Sequence, residues 1–267
     1  MRSTSPGAPS GTSVPEPVHV ERVDALPVFV YADRQDMGRA AAGHVASALR
    51  EAVRANGRAR IVLASAPSQR EFLVALAEAD VDWQRVEAFH MDEYIGLPPG
   101  SPQSFAQFLL DNLFHDVEPA EFHALDGTAD PGAEAGRYAL LLSRAPLDVV
   151  CCGIGENAHI AFNDPGTADF DDPQAVRVVT LAEQSRRQQV NDGMFRVLDD
   201  VPTHALTLTV PALVSARLVS CVVPGPTKRS AVRRMLREPV HPDTPASVLR
   251  RQGNSVLRLD REAYDLE

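Results

Sequence analysis

Short apolar runs alternate with amphipathic stretches along most of the chain. The β-branched runs PVFVY (27–31) and ARIVLAS (59–65) each precede a stretch with the apolar period of a helix. Later runs are almost continuously apolar, which is typical of strands covered by helices on both faces. These runs are VEAFHM (86–91), LDVVCCG (147–153), ALTLTV (205–210) and LVSCVVPG (218–225). The pattern predicts an α/β fold with a single doubly wound, largely parallel sheet and helices on both faces.

Helices are expected between and after these strands. Their predicted ranges are 34–54, 68–79, 104–114, 131–144, 184–198 and 226–237. Asp33 is suited to begin the first helix, because a short polar side chain can accept from the free N–H groups of the first turn. Gly57 is suited to end that helix, and Pro226 to occupy the first turn of the last one.

The N-terminal segment differs in composition from the rest of the chain. Residues 1–22 are rich in Ser, Pro and Gly and carry almost no large apolar side chains. Burial of so little apolar surface cannot offset the conformational entropy of ordering the segment. We therefore expect a disordered N-terminal tail at 1–22 and one α/β domain at 23–267.

Composition argues against several classes of protein. The formal net charge is −10, whereas a nucleic-acid or membrane-surface protein needs a concentrated basic face. No stretch approaches the roughly 20 apolar residues that span a bilayer, and the N-terminus lacks the apolar block of a secretory signal. The three cysteines offer neither a disulfide framework nor the spacing of a zinc site. These observations favour a cytoplasmic protein without a metal, a nucleic-acid partner or a membrane.

Two of the polar segments that follow apolar runs are suited to bind an anion. Ligands of open α/β sheets bind beyond the carboxyl ends of the strands. Ser65 and Ser68 flank a turn that opens a helix, where hydroxyls and N–H groups can converge on an anion or simply cap the helix. Lys228 falls in the first turn of another helix, which disfavours a cation unless a phosphate binds there. An ordinary solvated lysine is the alternative.

The other two segments carry groups that can exchange protons. The loop GIGENAHIAFNDP (153–165) places Asn157, His159 and Asp164 behind a buried strand, and a histidine near carboxylates can trade protons near neutral pH. Asp92 and Glu93 end another strand, where adjacent side chains point to opposite faces. At most one of these carboxylates can face the site. Together these features indicate a site for a phosphorylated small molecule, with a carboxylate base and a histidine acid or base.

Several motifs resemble the glucosamine-6-phosphate deaminase/isomerase family. They are FHMDEYIGL (89–97), GIGENAHIAFNDP (153–165) and SRRQQVNDGMF (185–195), and the resemblance extends from about residue 27 to the C-terminus. The related 6-phosphogluconolactonases usually read G-H-x-A-S-L-F-P after the glycine loop, whereas this chain reads A-H-I-A-F-N-D-P. The chain is therefore more similar to the deaminase branch.

The resemblance implies a reaction and roles for individual residues. Glucosamine 6-phosphate and water would become fructose 6-phosphate and ammonia, without a cofactor. His159 would move the proton that opens the sugar ring, and Asp92 would carry a proton from C2 to C1. Asn157 and Asp164 would complete the catalytic group around the histidine. The residues around the phosphate would be Ser65, Ala66, Ser68, Arg186 and Lys228.

The chain departs from the better-known members at three positions of the histidine loop. Asn157, Ala158 and Asp164 stand where those members have Asp, Gly and Glu. We expect Asn157 to orient His159 by a hydrogen bond, and the shorter Asp164 to reach it only through water or with help from Glu156. Ala158 is expected to matter least. The phosphate loop reads S-A-P-S-Q in place of a T-G-G-T-P type of turn, so the substrate pose could differ.

Two other functions are compatible with these residues. A lactone hydrolase acting on a sugar-phosphate lactone would use His159 to activate water. A non-catalytic sugar-phosphate-binding protein would keep the phosphate site without turnover, although such a protein has no need of both Asp92 and His159. The oligomeric state is left open, with a homo-oligomer as one alternative.

Overall fold

The computed structural model describes residues 14–264. Residues 1–13 of the predicted N-terminal tail lie outside this range. The predicted boundary at residue 22 is wrong, because His19–Val23 forms a strand, β1, which pairs antiparallel with Leu26–Tyr31, β2. Every second residue of β1 is exposed, so this edge strand is ordered by main-chain hydrogen bonds more than by apolar burial.

A mixed sheet of eight strands forms the centre of the molecule. After β1 and β2, the strands of this sheet are β3 Ala59–Leu63, β4 Val86–His90, β6 Glu121–His123, β7 Val149–Cys152, β10 Leu218–Val223 and β11 Ser255–Asp260. Their order is β1-β2-β11-β10-β7-β3-β4-β6, and all neighbours except β1 and β2 are parallel. The predicted α/β class with a largely parallel sheet is confirmed.

A second, antiparallel sheet contains three strands. It is formed by β5 Asp92–Tyr94, β8 Val176–Thr180 and β9 His204–Leu208, in the order β5-β9-β8. The run ALTLTV (205–210) was expected in the main sheet and belongs here instead. It reads as continuously apolar because both faces of β9 are covered: Leu206 and Leu208 pack in the main core, and Ala205 packs in a separate aromatic cluster.

Eight helices lie within residues 14–264: six fall in the predicted regions, although the one predicted over 184–198 ends at Asn191, and two short ones were not predicted. They are α1 Arg34–Asn56, α2 Arg70–Ala77, α3 Phe105–Asn112, α4 Pro131–Ser143, α5 Glu183–Asn191, α6 Val210–Val214, α7 Arg229–Arg237 and α8 Arg261–Tyr264. Asp33 caps α1 by accepting from the N–H of Asp36 at 2.8 Å, and Gly57 ends it with φ of +76°. Pro226 begins a single 3₁₀ turn that leads into α7. Among the helices of residues 14–264, none has the length and apolar content needed to cross a membrane.

Apolar side chains cover both faces of the main sheet. Along β3, Val62 packs in one cluster, whereas Ile61 and Leu63 pack in the cluster on the other face with side chains of α1 and α2. The free cysteines Cys151, Cys152 and Cys221 are buried. This two-sided burial accounts for the apolar runs in the sequence and leaves the carboxyl ends of the strands to carry polar residues.

The chain passes from one sheet to the other within a single residue. Strand β4 of the main sheet ends at His90, and β5 of the small sheet begins at Asp92, with only Met91 between them. His90 is fully buried, and its Nε2 accepts from the N–H of Leu125 at 2.8 Å. The first residue of β5 therefore stands at the carboxyl edge of the main sheet.

Candidate active site

A cleft opens at the carboxyl ends of the central strands, with an enclosed volume of about 70 Å³. Most of the residues predicted from sequence line it. Those residues are Ser65, Ala66, Ser68, Asp92, His159 and Lys228. Segments distant in the chain meet here because neighbouring parallel strands end at the same edge of the sheet.

Asp92 faces the cleft, and Glu93 faces away from it. The Asp92 side chain has no hydrogen bond or ion pair to any residue in the range 14–264. Burial, aided by the charge of Glu93, raises the pKa of Asp92 well above its ordinary value. Glu93 instead accepts from the N–H groups of Phe105 and Ala106 at the start of α3, at 3.1 and 3.0 Å. As expected, only one of the two carboxylates is available to a ligand, and its raised pKa suits a proton carrier.

His159 is held by a buried carboxylate and a hydroxyl. Its Nδ1 lies 3.2 Å from Oδ1 of Asp164 and 3.0 Å from Oγ of Ser185. Burial alone would raise the pKa of Asp164, but the hydrogen bonds and the charge that it receives outweigh burial and hold the pKa well below its usual range. The expectation that Asp164 reaches the histidine only through water, or with help from Glu156, is wrong. Asp164 makes the contact itself.

Asn157 acts on the loop and not on the imidazole. Its Oδ1 accepts from the main-chain N–H of His159 at 3.1 Å, and its Nδ2 donates to Oδ1 of Asp164 at 2.9 Å. The predicted hydrogen bond that orients His159 therefore exists only through the backbone and through the carboxylate. The Asn157 amide thus holds the loop and the Asp164 carboxylate in place without adding a negative charge.

Backbone geometry fixes two other positions in the loop. A Cβ added to Gly155 would lie 2.2 Å from Cε1 of His159, so only glycine allows the imidazole to pack there. Ala158 has φ of +70°, in the left-handed region, where a Cβ costs roughly 1–2 kcal/mol. Ala158 was expected to be the least important of the three departures, but it is the one that strains the backbone.

The same cleft also carries groups that are suited to bind an anion. Lys228 is 5% exposed; burial lowers its pKa, while the nearby charges of Asp192 and Glu156 act in the opposite direction. Oγ of Ser65 is buried and has no hydrogen-bond partner among residues 14–264. A buried ammonium and an unpaired hydroxyl in one cleft are groups that a phosphate could satisfy.

Arg186 does not reach this cleft. Its guanidinium donates to the carbonyl oxygens of Leu198 and Val201, at 2.7 and 2.8 Å. In this structure the guanidinium is therefore directed towards these carbonyl groups and not towards the cleft. Ser185, Gln188 and Gln189 turn inward from α5 instead, and the two glutamines line the cleft.

Sequence reasoning missed these three residues, although a signal was present. Positions 185, 188 and 189 are spaced i, i+3 and i+4 and so share one face of a helix, whereas position 186 lies on another face. Apolar residues of the cleft wall were also missed, because they resemble ordinary core positions. They are Met91, Phe105, Ile154 and Phe162.

A larger cavity, of about 580 Å³, lies at the amino ends of β3, β4 and β6. At its wall, Nε2 of His123 contacts the carboxylates of Glu87 and Glu121 at 2.9 and 3.1 Å. This combination of donors could hold a metal ion, but Nε of Arg60 is 2.8 Å from Glu87 and opposes a cation. The four side chains satisfy one another, so we assign them a structural role.

Comparisons with known proteins agree with the geometry. Residues 32–257 match the family described as glucosamine-6-phosphate isomerases/6-phosphogluconolactonase. The glucosamine-6-phosphate deaminase of Exiguobacterium sibiricum is 37% identical over 70% of this chain and 72% of its own length. The corresponding protein of Lactobacillus delbrueckii subsp. bulgaricus is 31% identical over 90% of this chain and 99% of its own.

Solved structures place the fold in the same group. A monomeric glucosamine-6-phosphate deaminase superposes with a TM-score of 0.82 at 29% identity, covering 90% of this chain and 99% of its own. The 6-phosphogluconolactonase of Trypanosoma brucei superposes with a TM-score of 0.75 over 92% of this chain and 99% of its own, but at 19% identity it supports the fold alone. The resemblance inferred from the motifs is thereby confirmed, and the chain belongs to the family of glucosamine-6-phosphate isomerases and 6-phosphogluconolactonases.

Proposed function

We propose that this enzyme converts glucosamine 6-phosphate and water into fructose 6-phosphate and ammonia. The observation that carries the proposal is the meeting of three groups in one cleft. Asp92 supplies a carboxylate with no hydrogen-bond partner among residues 14–264, His159 supplies an imidazole held by hydrogen bonds, and Lys228 supplies a buried cation. The similar curated proteins named glucosamine-6-phosphate deaminase support the same reaction.

The residues fit a sequence of proton transfers. His159 takes the proton from the C1 hydroxyl and delivers it to the ring oxygen, so that the C1–O5 bond breaks and the pyranose opens to the aldehyde. Asp92 then takes the proton from C2 while O1 of the aldehyde gains a proton, which gives an enolamine. Delivery of the proton from Asp92 to C1 and loss of a proton from the nitrogen give the C2 imine. Water adds to that imine, and ammonia leaves from C2, which gives the ketose. No oxidant or reductant is required.

The phosphate would bind beside Lys228 in the same cleft. Lys228 provides the charge, and the hydroxyls of Ser65 and Ser68 provide uncharged donors. In an acidic protein such a local cation is needed to hold a dianion. Arg186 is not part of this proposal, because its guanidinium is occupied elsewhere.

The lactone hydrolase is a weaker candidate. The curated relatives described above are deaminases at 31–37% identity, whereas the lactonase structure shares only 19% and the fold. A purely binding role would leave unexplained why Asp92 is buried without a hydrogen-bond partner among residues 14–264, since such burial is costly. We further propose that the enzyme acts in the cytoplasm, where a phosphorylated sugar is retained. A homo-oligomer stays a prediction.

The test is direct measurement of both products. Purified full-length protein is given glucosamine 6-phosphate, with galactosamine 6-phosphate and 6-phosphogluconolactone as alternative substrates. Equimolar release of ammonia and fructose 6-phosphate is expected. Asp92→Asn should abolish turnover and hydrogen exchange at C2 but retain substrate binding, because the base acts on the transition state. Hydrolysis of the lactone without ammonia release would refute the proposal.

A further inference from the structure

The hydroxyl of Ser185 lies between two of the proposed active-site side chains. Its Oγ is 3.0 Å from Nδ1 of His159 and makes a short hydrogen bond to Oδ1 of Asp164. Ser185 is 1% exposed and projects from α5. We infer that Ser185 is a positioning residue that holds His159 in the tautomer with its proton on Nδ1, leaving Nε2 to exchange protons with the substrate. The catalytic consequence rests on the proposed function, whereas the tautomer itself does not.

The hydrogen positions follow by elimination. Asp164 is ionised, because its pKa is held well below the usual range, so its oxygens can only accept hydrogen bonds. Ser185 must donate its single hydroxyl hydrogen to Asp164, since an ionised carboxylate has no hydrogen to offer. The lone pairs of Oγ then face Nδ1 of His159, and that nitrogen must be the donor. Oδ1 of Asp164 lies farther from the same nitrogen, at 3.2 Å, and already accepts hydrogens from Ser185 and Asn157, so Ser185 is the nearer and less engaged acceptor for Nδ1.

The surroundings leave the network few alternatives. Nδ2 of Asn157 also points at this cluster, 2.9 Å from Oδ1 of Asp164 and 3.4 Å from Oγ of Ser185. Oγ thus accepts from nitrogen donors and gives its hydrogen to the carboxylate. The imidazole ring packs against Gly155, which fixes the plane of the ring. The hydrogen bonds to Nδ1 then determine which nitrogen carries the proton.

Removing the hydroxyl should weaken this selection. In Ser185→Ala, Asp164 is the remaining acceptor for Nδ1 in the described part of the chain, and it loses its shortest donor. The tautomer protonated on Nε2 should then become populated, and it cannot take up a proton from the substrate. A lost hydrogen bond to a charged group corresponds to roughly a ten- to hundredfold fall in kcat. KM should change little, because Ser185 is not one of the proposed phosphate ligands.

Nitrogen-15 spectra of histidine-labelled, full-length protein test the tautomer directly. Spectra are recorded at about pH 8.5, where an ordinary imidazole is neutral, and the His159 signals are identified by their loss in His159→Gln. We expect a protonated Nδ1 and a bare Nε2 in the wild type and in Ser185→Thr, and a mixture of tautomers in Ser185→Ala. A wild-type proton on Nε2 would overturn the inference, whether or not any variant folds. An unchanged spectrum in folded Ser185→Ala would also overturn it.

The kinetic arm separates this inference from the proposed function. Ser185→Thr should retain most of kcat, because it keeps the hydroxyl, whereas Ser185→Ala should lose it at nearly constant KM. Equal losses in both variants would indicate a packing role and overturn the inference. If the wild type releases no ammonia, the proposed function fails, but the nitrogen-15 spectra still decide the role of Ser185.

Discussion

His90 makes the stability of the fold depend on pH. The imidazole is fully buried at the end of β4, and burial lowers its pKa from 6.5 to about 3. Its Nε2 accepts from the N–H of Leu125, a contact that only the unprotonated nitrogen can make. The unfolded chain therefore binds a proton at a higher pH than the folded chain does. Stability is lost as the pH falls below about 6.5, until the folded pKa is reached.

The size of the effect follows from proton linkage. At pH 7 roughly a quarter of the unfolded imidazoles carry a proton, and at pH 5 nearly all do, while the folded imidazole stays neutral. The difference corresponds to about 2 kcal/mol of unfolding free energy between pH 7 and pH 5. Burial raises the pKa values of Asp92 and Glu93, which act in the opposite direction as the pH falls. The contribution of His90 must therefore be isolated with a variant.

Urea unfolding of the wild type and of His90→Gln at several pH values isolates the contribution of His90 to the unfolding free energy. The glutamine carbonyl can still accept from the N–H of Leu125 but does not titrate. We expect the variant to lose about 2 kcal/mol less than the wild type between pH 7 and pH 5, whatever its stability at pH 7. Equal losses in the two proteins would refute the reasoning, because they would place the acid sensitivity elsewhere.

Further predictions concern the cleft. Lys228→Ala should raise KM roughly 10- to 100-fold, the equivalent of one charge-assisted hydrogen bond, and an unchanged KM would place the phosphate elsewhere. Gln189→Leu should raise KM several-fold, because Gln189 lines the cleft. Arg186→Met should leave KM unchanged but lower the melting temperature, because it removes the hydrogen bonds to Leu198 and Val201. The reverse result would restore the assignment of Arg186 to the phosphate. Gly155→Ala should abolish turnover, because its Cβ would overlap the imidazole, while Gly43→Ala, which has open space around the new methyl group, should not affect it.

The sequence was sufficient to predict which segments meet, but not how the side chains contact one another. Asp92, His159 and Lys228 could be brought together from the chain alone, because each follows an apolar strand and parallel strands end at a common edge. Arg186 was assigned by motif without regard to the face of the helix on which it lies, and the structure places it outside the cleft. Its phosphate contact stays a prediction, which the Arg186→Met variant tests.

Other features could not be read from the sequence. The contact between Asp164 and His159 depends on a tight turn, in which the N–H of Asn163 donates to the carbonyl of Ile160 at 3.1 Å and brings the carboxylate back towards the ring. Side-chain length alone therefore underestimated the reach of Asp164. The second sheet was missed because a strand buried on both faces carries no sign of the direction of its partners.

The single residue between β4 and β5 constrains how the chain can change in length. Asp92 and its neighbour Glu93 have separate tasks, one facing the cleft and the other capping α3. Because side chains alternate along a strand, deleting or inserting one residue at Met91 would turn every following side chain to the opposite face. The cleft would then receive Glu93, and α3 would lose its cap. Relatives that keep both functions should therefore tolerate substitutions at this junction but not insertions or deletions.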